Sequence, residues 1–533
     1  MTTTLHGRSL LAGSIAQPGG KKFRASNPAT GEQLAPDFHE ASAADVDAAL
    51  AAAAAAFSEY RARPATDRAH LLETIAAAIE ALGDPLLARA NAETGLPLAR
   101  LTGERARTCG QLRLFAAVVR EGSWVDARID PALPDRKPLP RPDLRRMLIP
   151  LGPVVVFGSS NFPLAFSVAG GDTTSALAAG CPVVVKAHRA HPGTSELVGG
   201  AIGRALSTCG LPAGVFSLIH GGGATVGIAM VQHPATTAVG FTGSHAAGRA
   251  LFDAAASRPH PIPVFAEMSS LNPVFLLPAA LRERGTAIAQ GLLGSVTLGV
   301  GQFCTKPGLV FAIRSRETDA FVAALAEQVR AAPCGTMLTS GIRDNFVENR
   351  AKITGHSAVR IVAVSGAAPA DIRTEAAPGV ATTSAREFLA HPDLAIEAFG
   401  PFTLIVLAEN ADELAACARA LDGQLTATLH LGAGDDAAAR QLQPILERVA
   451  GRIVVNGFPT GVEVSHAMNH GGPYPATTDV RFTSVGTAAL LRFARPICYQ
   501  NTPDALLPDA LKNANPLGLN RLIDGKLTRE PVS

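Results

Sequence analysis

The sequence predicts an α/β protein built on two Rossmann-like, doubly wound parallel sheets. Two patterns carry that prediction. Short runs that are apolar throughout, such as Val154-Val155-Val156-Phe157 and Val183-Val184-Val185, recur along the chain, and helix-length segments separate them. Strands apolar on both sides need cover on both faces, and intervening helices supply it. The 533 residues, 47% hydrophobic and 17% charged, provide enough material for several domains of about 100–200 residues.

The elements follow in order. Residues 42–90 are Ala-rich with helical spacing through Leu71, Leu72, Ile75, Ile79 and Leu82, and helix continues over 98–119. The Pro-rich stretch 131–142 suits neither helix nor central strand and reads as an extended crossing segment. Then strands at 154–157, 183–186, 215–220 and 239–242 alternate with helices near 167–179, 195–207, 225–232 and 246–256. A second set begins near Asn272. It has a strand at 273–277, a helix at 279–298, a loop at 299–305 and strands at 309–313, 402–407, 426–431 and 452–456. Residues 486–500 form an edge strand or arm. Sheets of this kind bind ligands at the carboxyl ends of their strands.

Composition excludes several functions. The formal charge is +2, no long basic run occurs and aromatics are 5%, so neither nucleic acid nor an anionic membrane is expected as a partner. No run of about 18 apolar residues predicts a membrane span, and residues 1–18 carry no signal-peptide pattern. The seven cysteines (Cys109, Cys181, Cys209, Cys304, Cys334, Cys417, Cys498) are scattered and form no CxxC. That suits a reducing cytoplasm rather than disulfides or zinc. The 14 histidines, among them His188, His191, His466 and His470, show no metal-ligand spacing, so no metal is expected.

A few positions offer chemistry. Cys304, in the Gly301-Gln302-Phe303-Cys304-Thr305 loop after a helix, is either a nucleophile or a small buried hydrophobe. Asn161, in the loop after strand 154–157, is either an oxyanion donor or a turn residue. Lys186 ends a strand, where it meets a ribose or phosphate or simply solvent. The Gly221-Gly222-Gly223 loop and the Gly243-Ser244 turn precede helices, whose N-termini favour phosphate, although the glycines do not spell GxGxxG. Glu267, closing an apolar run, is either paired or a general base.

These pieces in this order resemble the aldehyde dehydrogenase superfamily from about Asn27 to Arg495. The motifs are Gly152-Pro153 leading to Asn161-Phe162-Pro163, then Lys186, Phe241-Thr242-Gly243-Ser244, Glu267, Gly301-Gln302-Phe303-Cys304, Glu397-Ala398-Phe399-Gly400-Pro401 and Asn456. The resemblance implies that Cys304 is the nucleophile, Asn161 and the Cys304 N–H the oxyanion site, and Glu267 the base that activates water. It also implies that Glu397 holds the nicotinamide ribose beside Phe399, Lys186 the adenosine ribose, and Ser244, with Gly223 and Gly243 nearby, the pyrophosphate. The usual Leu-Gly-Gly-Lys after the base is replaced by Met268-Ser269-Ser270-Leu271, and 37 residues separate Glu267 from Cys304, slightly more than is usual.

Those departures, with Thr305-Lys306-Pro307-Gly308, 456–464, 470–477 and 105–113, resemble the α-ketoglutaric semialdehyde (2,5-dioxovalerate) dehydrogenases. The implied reaction oxidises 2,5-dioxopentanoate to 2-oxoglutarate. Broad-specificity or long-chain aldehyde enzymes, a CoA-acylating enzyme and a non-catalytic relative are the alternatives. Many NAD-preferring members carry a Glu three residues after the Lys. Here Arg189 stands there beside His188, which favours NADP while leaving NAD possible. A substrate carboxylate wants an arginine. Arg105, Arg107 and Arg113 share one helix, and Phe162 completes the candidate substrate path. Three parts are expected: a cofactor domain (1–132 and 151–267, with 456–479 returning to it), a catalytic domain (268–455) and a small β oligomerisation arm (133–150 and 480–500). A tail (501–533) follows, and the resemblance implies a homodimer or homotetramer.

Overall fold

The computed structural model describes residues 4–532; Met1–Thr3 and Ser533, at the ends of the expected cofactor domain and tail, lie outside them. One sheet is ordered Val264–Glu267, Ala238–Thr242, Val154–Phe157, Val183–Lys186, Phe216–Ile219, Leu10–Leu11, Ser14–Ile15. The first five strands are parallel. Every residue of Val154–Phe157 and Val183–Lys186 is buried, as the unbroken apolarity of 154–157 and 183–185 requires. Strand order reverses between Val154–Phe157 and Ala238–Thr242. The loops at their carboxyl ends, bearing Asn161 and Gly243-Ser244, flank the crevice where such sheets take ligands.

The second sheet is ordered Arg360–Val364, Gly379–Ser384, Phe402–Ala408, Leu309–Ile313, Val274–Leu276, Gln424–His430, Ala450–Val455. All its pairings are parallel except that of Arg360–Val364 with Gly379–Ser384. Phe275 and Phe311, on neighbouring strands, stack at 4.8 Å in its core. Met268–Pro273 crosses from one sheet to the other. Glu267 therefore ends a strand of the first sheet, and Cys304 lies just ahead of strand Leu309–Ile313 in the second.

Local signals set the boundaries. Ser42 and Asp45 close a capping box on helix Ala43–Ala62. Left-handed Gly95 and Gly122 stop helices Gly83–Thr94 and Leu98–Glu121. The helix expected near 225–232 opens instead with a π-turn, Gly223–Gly227, before Ile228–Gln232; a glycine-rich start makes that wider turn accessible. Residues 486–500 divide into a 3-10 turn, Thr487–Phe493, and strand Ala494–Gln500. That strand is the edge of a third sheet, ordered Ala494–Gln500, Leu144–Pro150, Arg128–Asp130, Arg521–Ile523, Lys526–Thr528. The segment expected as a tail thus supplies two strands. Arg521, fully buried, anchors them by donating to the Asn513 and Glu530 carbonyls. Among the described residues no helix is long and apolar enough to cross a membrane.

Candidate active site

The Cys304 loop is held in a demanding backbone shape. Gly299, Val300 and Gly301 have φ of 56°, 58° and 68°, a region that β-branched Val300 adopts only under strain. Gly301 admits no side chain, because a Cβ there would stand 2.2 Å from the Gly400 carbonyl carbon. The loop therefore lies backbone against backbone on the turn that carries Glu397 and Phe399. Lys306, fully buried, crosses between them and donates to Ala398 O and Phe402 O at 3.0 Å each. Burial pushes its ammonium down to about 8, against the pull of Glu397.

The replacement of the usual glycines has a structural consequence. Asn272, buried at φ 49°, donates to Cys304 O at 2.9 Å and Lys306 O at 3.1 Å. Its oxygen accepts from Ser270 and Thr426. Gln424 accepts from the Leu271 and Asn272 backbone. The Ser-Ser-Leu-Asn run is thus a polar clamp beneath the cysteine, with every group satisfied as burial demands.

Asn161 comes from the other side. Its side-chain amide donates to Gln302 O at 2.9 Å, which fixes it beside the peptide that leads to Cys304. Arg100 donates to Asn161 O at 2.7 Å and lies over the rings of Phe162 and Phe303, at 5.0 and 4.8 Å. Phe162 meets Phe303 edge-on, beside the residue that precedes Cys304.

Glu267, 3% exposed, faces Cys304 through a residue the sequence had not marked for chemistry. His470 is fully buried, with Nε2 3.4 Å from Cys304 Sγ and 3.0 Å from Glu267 Oε1. Ser484 donates to Glu267 Oε2. Burial pushes the Glu267 carboxyl up, but the His470 charge, Ser484 and Arg492 pull it further down, below the ordinary range. His470 moves the other way. Burial lowers it, yet the anionic Glu267 and Cys304 raise it to about 10. The imidazole nitrogen thus stands between a buried carboxylate and the sulfur, a setting that favours its protonated form. His470 is placed by Gly471 and Gly472, where a Cβ would stand 2.7 Å from Phe482 O and 2.0 Å from Gln424 O.

The three candidate arginines separate. Arg113 is exposed and paired with Glu80, and Arg105 donates to Gly83 O; neither reaches the site. Arg107 lies over Phe166 at 5.0 Å, donates to Val462 O at 3.0 Å and is near enough to Cys304 and Glu267 to feel their charge. Arg452, not anticipated from the pattern, joins it from strand Ala450–Val455. It donates to Pro459 O at 2.6 Å and Gly461 O at 3.2 Å, feels the Cys304 charge, and keeps a buried Nε without a protein acceptor.

At the carboxyl ends of the first sheet, Lys186 is buried, donates to Ala187 O and is pushed down to about 8 by burial. His188 accepts from Ala190 N and stacks on His191; burial holds it well below the ordinary histidine value. Arg189 lies over Phe23 at 4.7 Å and within 3.5 Å of Glu40. Glu40 also stands 4.0 Å from where a Gly222 Cβ would be, while a Cβ on Gly223 would meet nothing. Ser244 caps helix His245–Ala256. Gly243 N donates to Glu267 O, which ties this turn to the end of the Glu267 strand. Glu397 is half-buried, near Ser269, and burial raises it. An amine, a carboxylate, an open glycine turn and a helix N-terminus along one crevice suit a dinucleotide.

A profile of the aldehyde dehydrogenase family matches residues 15–478. The chain is 55% identical over 523 residues to alpha-ketoglutaric semialdehyde dehydrogenase 2 of Azospirillum brasilense, covering 98% of this chain and 99% of that one. It is 49% identical to alpha-ketoglutaric semialdehyde dehydrogenase of Acinetobacter baylyi, over 92% and 93% of the two chains. Among solved structures, a betaine aldehyde dehydrogenase point mutant from Staphylococcus aureus in complex with NAD+ superposes with TM-score 0.80 at 20% identity, over 94% of this chain and 98% of that one. A 3,6-anhydro-L-galactose dehydrogenase in complex with NAP, the NADP ligand, gives 0.79 at 23%, over 92% and 99%. These two likenesses bear on the fold.

Proposed function

The chain belongs to the aldehyde dehydrogenase family, and on that premise we propose that it oxidises 2,5-dioxopentanoate to 2-oxoglutarate with NAD(P), through a thioester on Cys304. The observation that carries the mechanism is the meeting of Cys304 Sγ, His470 Nε2 and the Glu267 carboxylate in one shielded cluster, with the Asn161 amide anchored beside it. His470 holds positive charge against the sulfur, which favours the nucleophilic thiolate. Cys304 attacks the aldehyde carbon, and the Asn161 amide with the Cys304 N–H takes up the charge on oxygen; one such donor is worth roughly 3–4 kcal/mol. A bound nicotinamide dinucleotide supplies the hydride acceptor. Glu267 then takes a proton from the water that opens the thioester, and Cys304 leaves as thiolate. A water-activating carboxylate in place argues for hydrolysis rather than transfer to coenzyme A.

The substrate rests on the two relatives and on Arg107 and Arg452. These two cations converge on the carbonyls of residues 459–462 next to Cys304, where a substrate carboxylate finds charge-assisted partners. The dinucleotide would be held by Lys186, Arg189, the Gly223 turn, Gly243-Ser244 and Glu397, with Phe399 alongside. Arg189 supports NADP acceptance, and Glu40 beside it supports retained NAD use. The first sheet with the early helices would form the cofactor domain, and the second sheet the catalytic domain. The exposed edge strand Ala494–Gln500 supports pairing into a homodimer or homotetramer, and seven free cysteines support a cytoplasmic site.

The test is a panel of 2,5-dioxopentanoate, succinate semialdehyde, glutaraldehyde and hexanal, each with NAD and NADP, following reduced cofactor and product. The acidic dicarbonyl should give the highest kcat/KM and a free acid. Turnover of hexanal alone would assign the long-chain reading instead, and an acyl-CoA product the acylating one. Cys304→Ala should abolish turnover.

A further inference from the structure

Cys304, His470 and Glu267 offer more than acid–base chemistry. One ligand atom from each lies within 4.8 Å of the other two, although Cys304 and His470 are 166 residues apart in sequence. A thiolate, an imidazole nitrogen and a carboxylate oxygen form a donor set of the kind that holds zinc with a fourth position open. Bond lengths of about 2.0–2.3 Å in a tetrahedron put neighbouring donors roughly 3.3–3.6 Å apart, and the observed separations from Nε2 are 3.4 and 3.0 Å. A second observation concerns hydrogen-bond capacity. The only polar neighbour of buried Glu267 Oε1 in this contact is the same Nε2 that would bind the ion, so loss of the Nε2 proton leaves a buried acceptor that needs a new partner. Ser484 holds the other carboxylate oxygen, as outer partners hold metal-ligating carboxylates elsewhere. Thiolate and carboxylate together carry two negative charges, which one divalent cation neutralises.

We propose that Cys304, His470 and Glu267 capture a zinc-type divalent cation, and that the captured ion switches the enzyme off. Binding forms bonds from the metal to Cys304 Sγ, His470 Nε2 and Glu267 Oε1. The proton on Nε2 leaves to solvent, and no electron is transferred. The ion occupies the nucleophile and the base together, so inhibition is competitive with aldehyde and reversed by a chelator. His470 Nδ1 is buried with no acceptor, unlike the second nitrogen of most resident zinc ligands. That fits a reversible inhibitory site rather than a permanent structural one. The inhibitory consequence rests on the dehydrogenase reading; the binding does not.

The experiment titrates the intact apoprotein with Co2+ as the spectroscopic probe, then repeats the titration with Zn2+ and follows activity. One cobalt per chain should give a thiolate-to-cobalt charge-transfer band, displaced by zinc. The band should vanish in Cys304→Ala and in His470→Gln, and Ser484→Ala should weaken affinity about 10- to 100-fold. Circular dichroism checks that each variant is folded. If His470→Gln fails to fold, protection of Cys304 from iodoacetamide by zinc in the wild type decides in its place. No band and no protection, or a band that survives loss of Cys304, overturns the proposal. A band in a protein that reduces no cofactor with any aldehyde would leave the metal site standing and remove the dehydrogenase reading. Turnover unaffected by zinc at full cobalt-site occupancy would refute the switch.

Discussion

Replacing His470 with Gln removes the positive charge between Glu267 and Cys304 while keeping a similar volume. Both side chains of the Glu267 pair are almost fully buried, at 0% and 2% exposure. Deleting one partner of such a pair costs roughly 3–5 kcal/mol, part of which the variant recovers by protonating Glu267. The pH dependence follows from the two shifts. His470 is raised from 6.5 to about 10, so its contribution is fully present below pH 6.5 and is lost as pH rises through about 10. Glu267 is depressed, so its contribution is present above the ordinary glutamate value and is lost as pH falls below it. The wild-type advantage should therefore be widest between about pH 4.5 and 6.5 and shrink to a small fraction near pH 9.5. Urea unfolding of both proteins at pH 6 and pH 9.5, followed by circular dichroism, measures this. Loss of a charge-assisted contact worth about 1.5–3 kcal/mol should also slow iodoacetamide reaction at Cys304 about 10- to 100-fold. An equal stability gap at both pH values would refute the buried ion pair. An unchanged alkylation rate would refute the role of His470 at the sulfur.

Three further outcomes are expected. Arg452→Met, and separately Arg107→Met, should raise KM for 2,5-dioxopentanoate about 10- to 100-fold, the scale of a lost charged hydrogen bond, and leave hexanal kinetics within about twofold; equal losses on both substrates would mean that these arginines only brace the 459–462 carbonyls. Glu40→Gln frees half-exposed Arg189 from its partner and should raise the NADP-to-NAD ratio of kcat/KM roughly 3- to 5-fold, while Arg189→Glu should lower it. Gly301→Ala forces a Cβ into the Gly400 backbone at a left-handed φ; the melting temperature and kcat should fall together, with strain of roughly 1–3 kcal/mol.

The strands were legible because their burial is two-sided. Val154–Phe157 and Leu309–Ile313 are apolar at every position, and Val183–Lys186 at all but its last, so no register ambiguity hides them. The strands at Arg521–Ile523 and Lys526–Thr528 were not. They are three residues each and mostly half-exposed, and their place depends on Arg521 reaching carbonyls eight and nine residues away. A buried arginine reads as a solvated charge in any local window, and only its bonds to the Lys512, Asn513 and Glu530 carbonyls make it a core residue.

The site divides along the same line. Cys304, Glu267 and Asn161 stand in contiguous motifs, so pattern alone raised them. His470 and Arg452 act through distance. His470 sits in a glycine pair whose meaning, close passage between Phe482 and Gln424, exists only after folding. Arg452 lies mid-strand, where alternation makes a charge look solvent-facing. The grouping of Cys304, His470 and Glu267 was not legible for the same cause, since ligand-spacing rules look for donors clustered in sequence, whereas these three come from the end of one sheet, a loop before the other and a returning segment. Glu40 shows the converse. A carboxylate absent from its expected place after Lys186 returns from the strand-to-helix junction near residue 40, so the charge facing Arg189 belongs to the fold rather than to the motif. Cofactor choice should then respond more to Glu40 than a comparison restricted to the Lys186 loop would suggest, and the ratio measured in Glu40→Gln separates the two views.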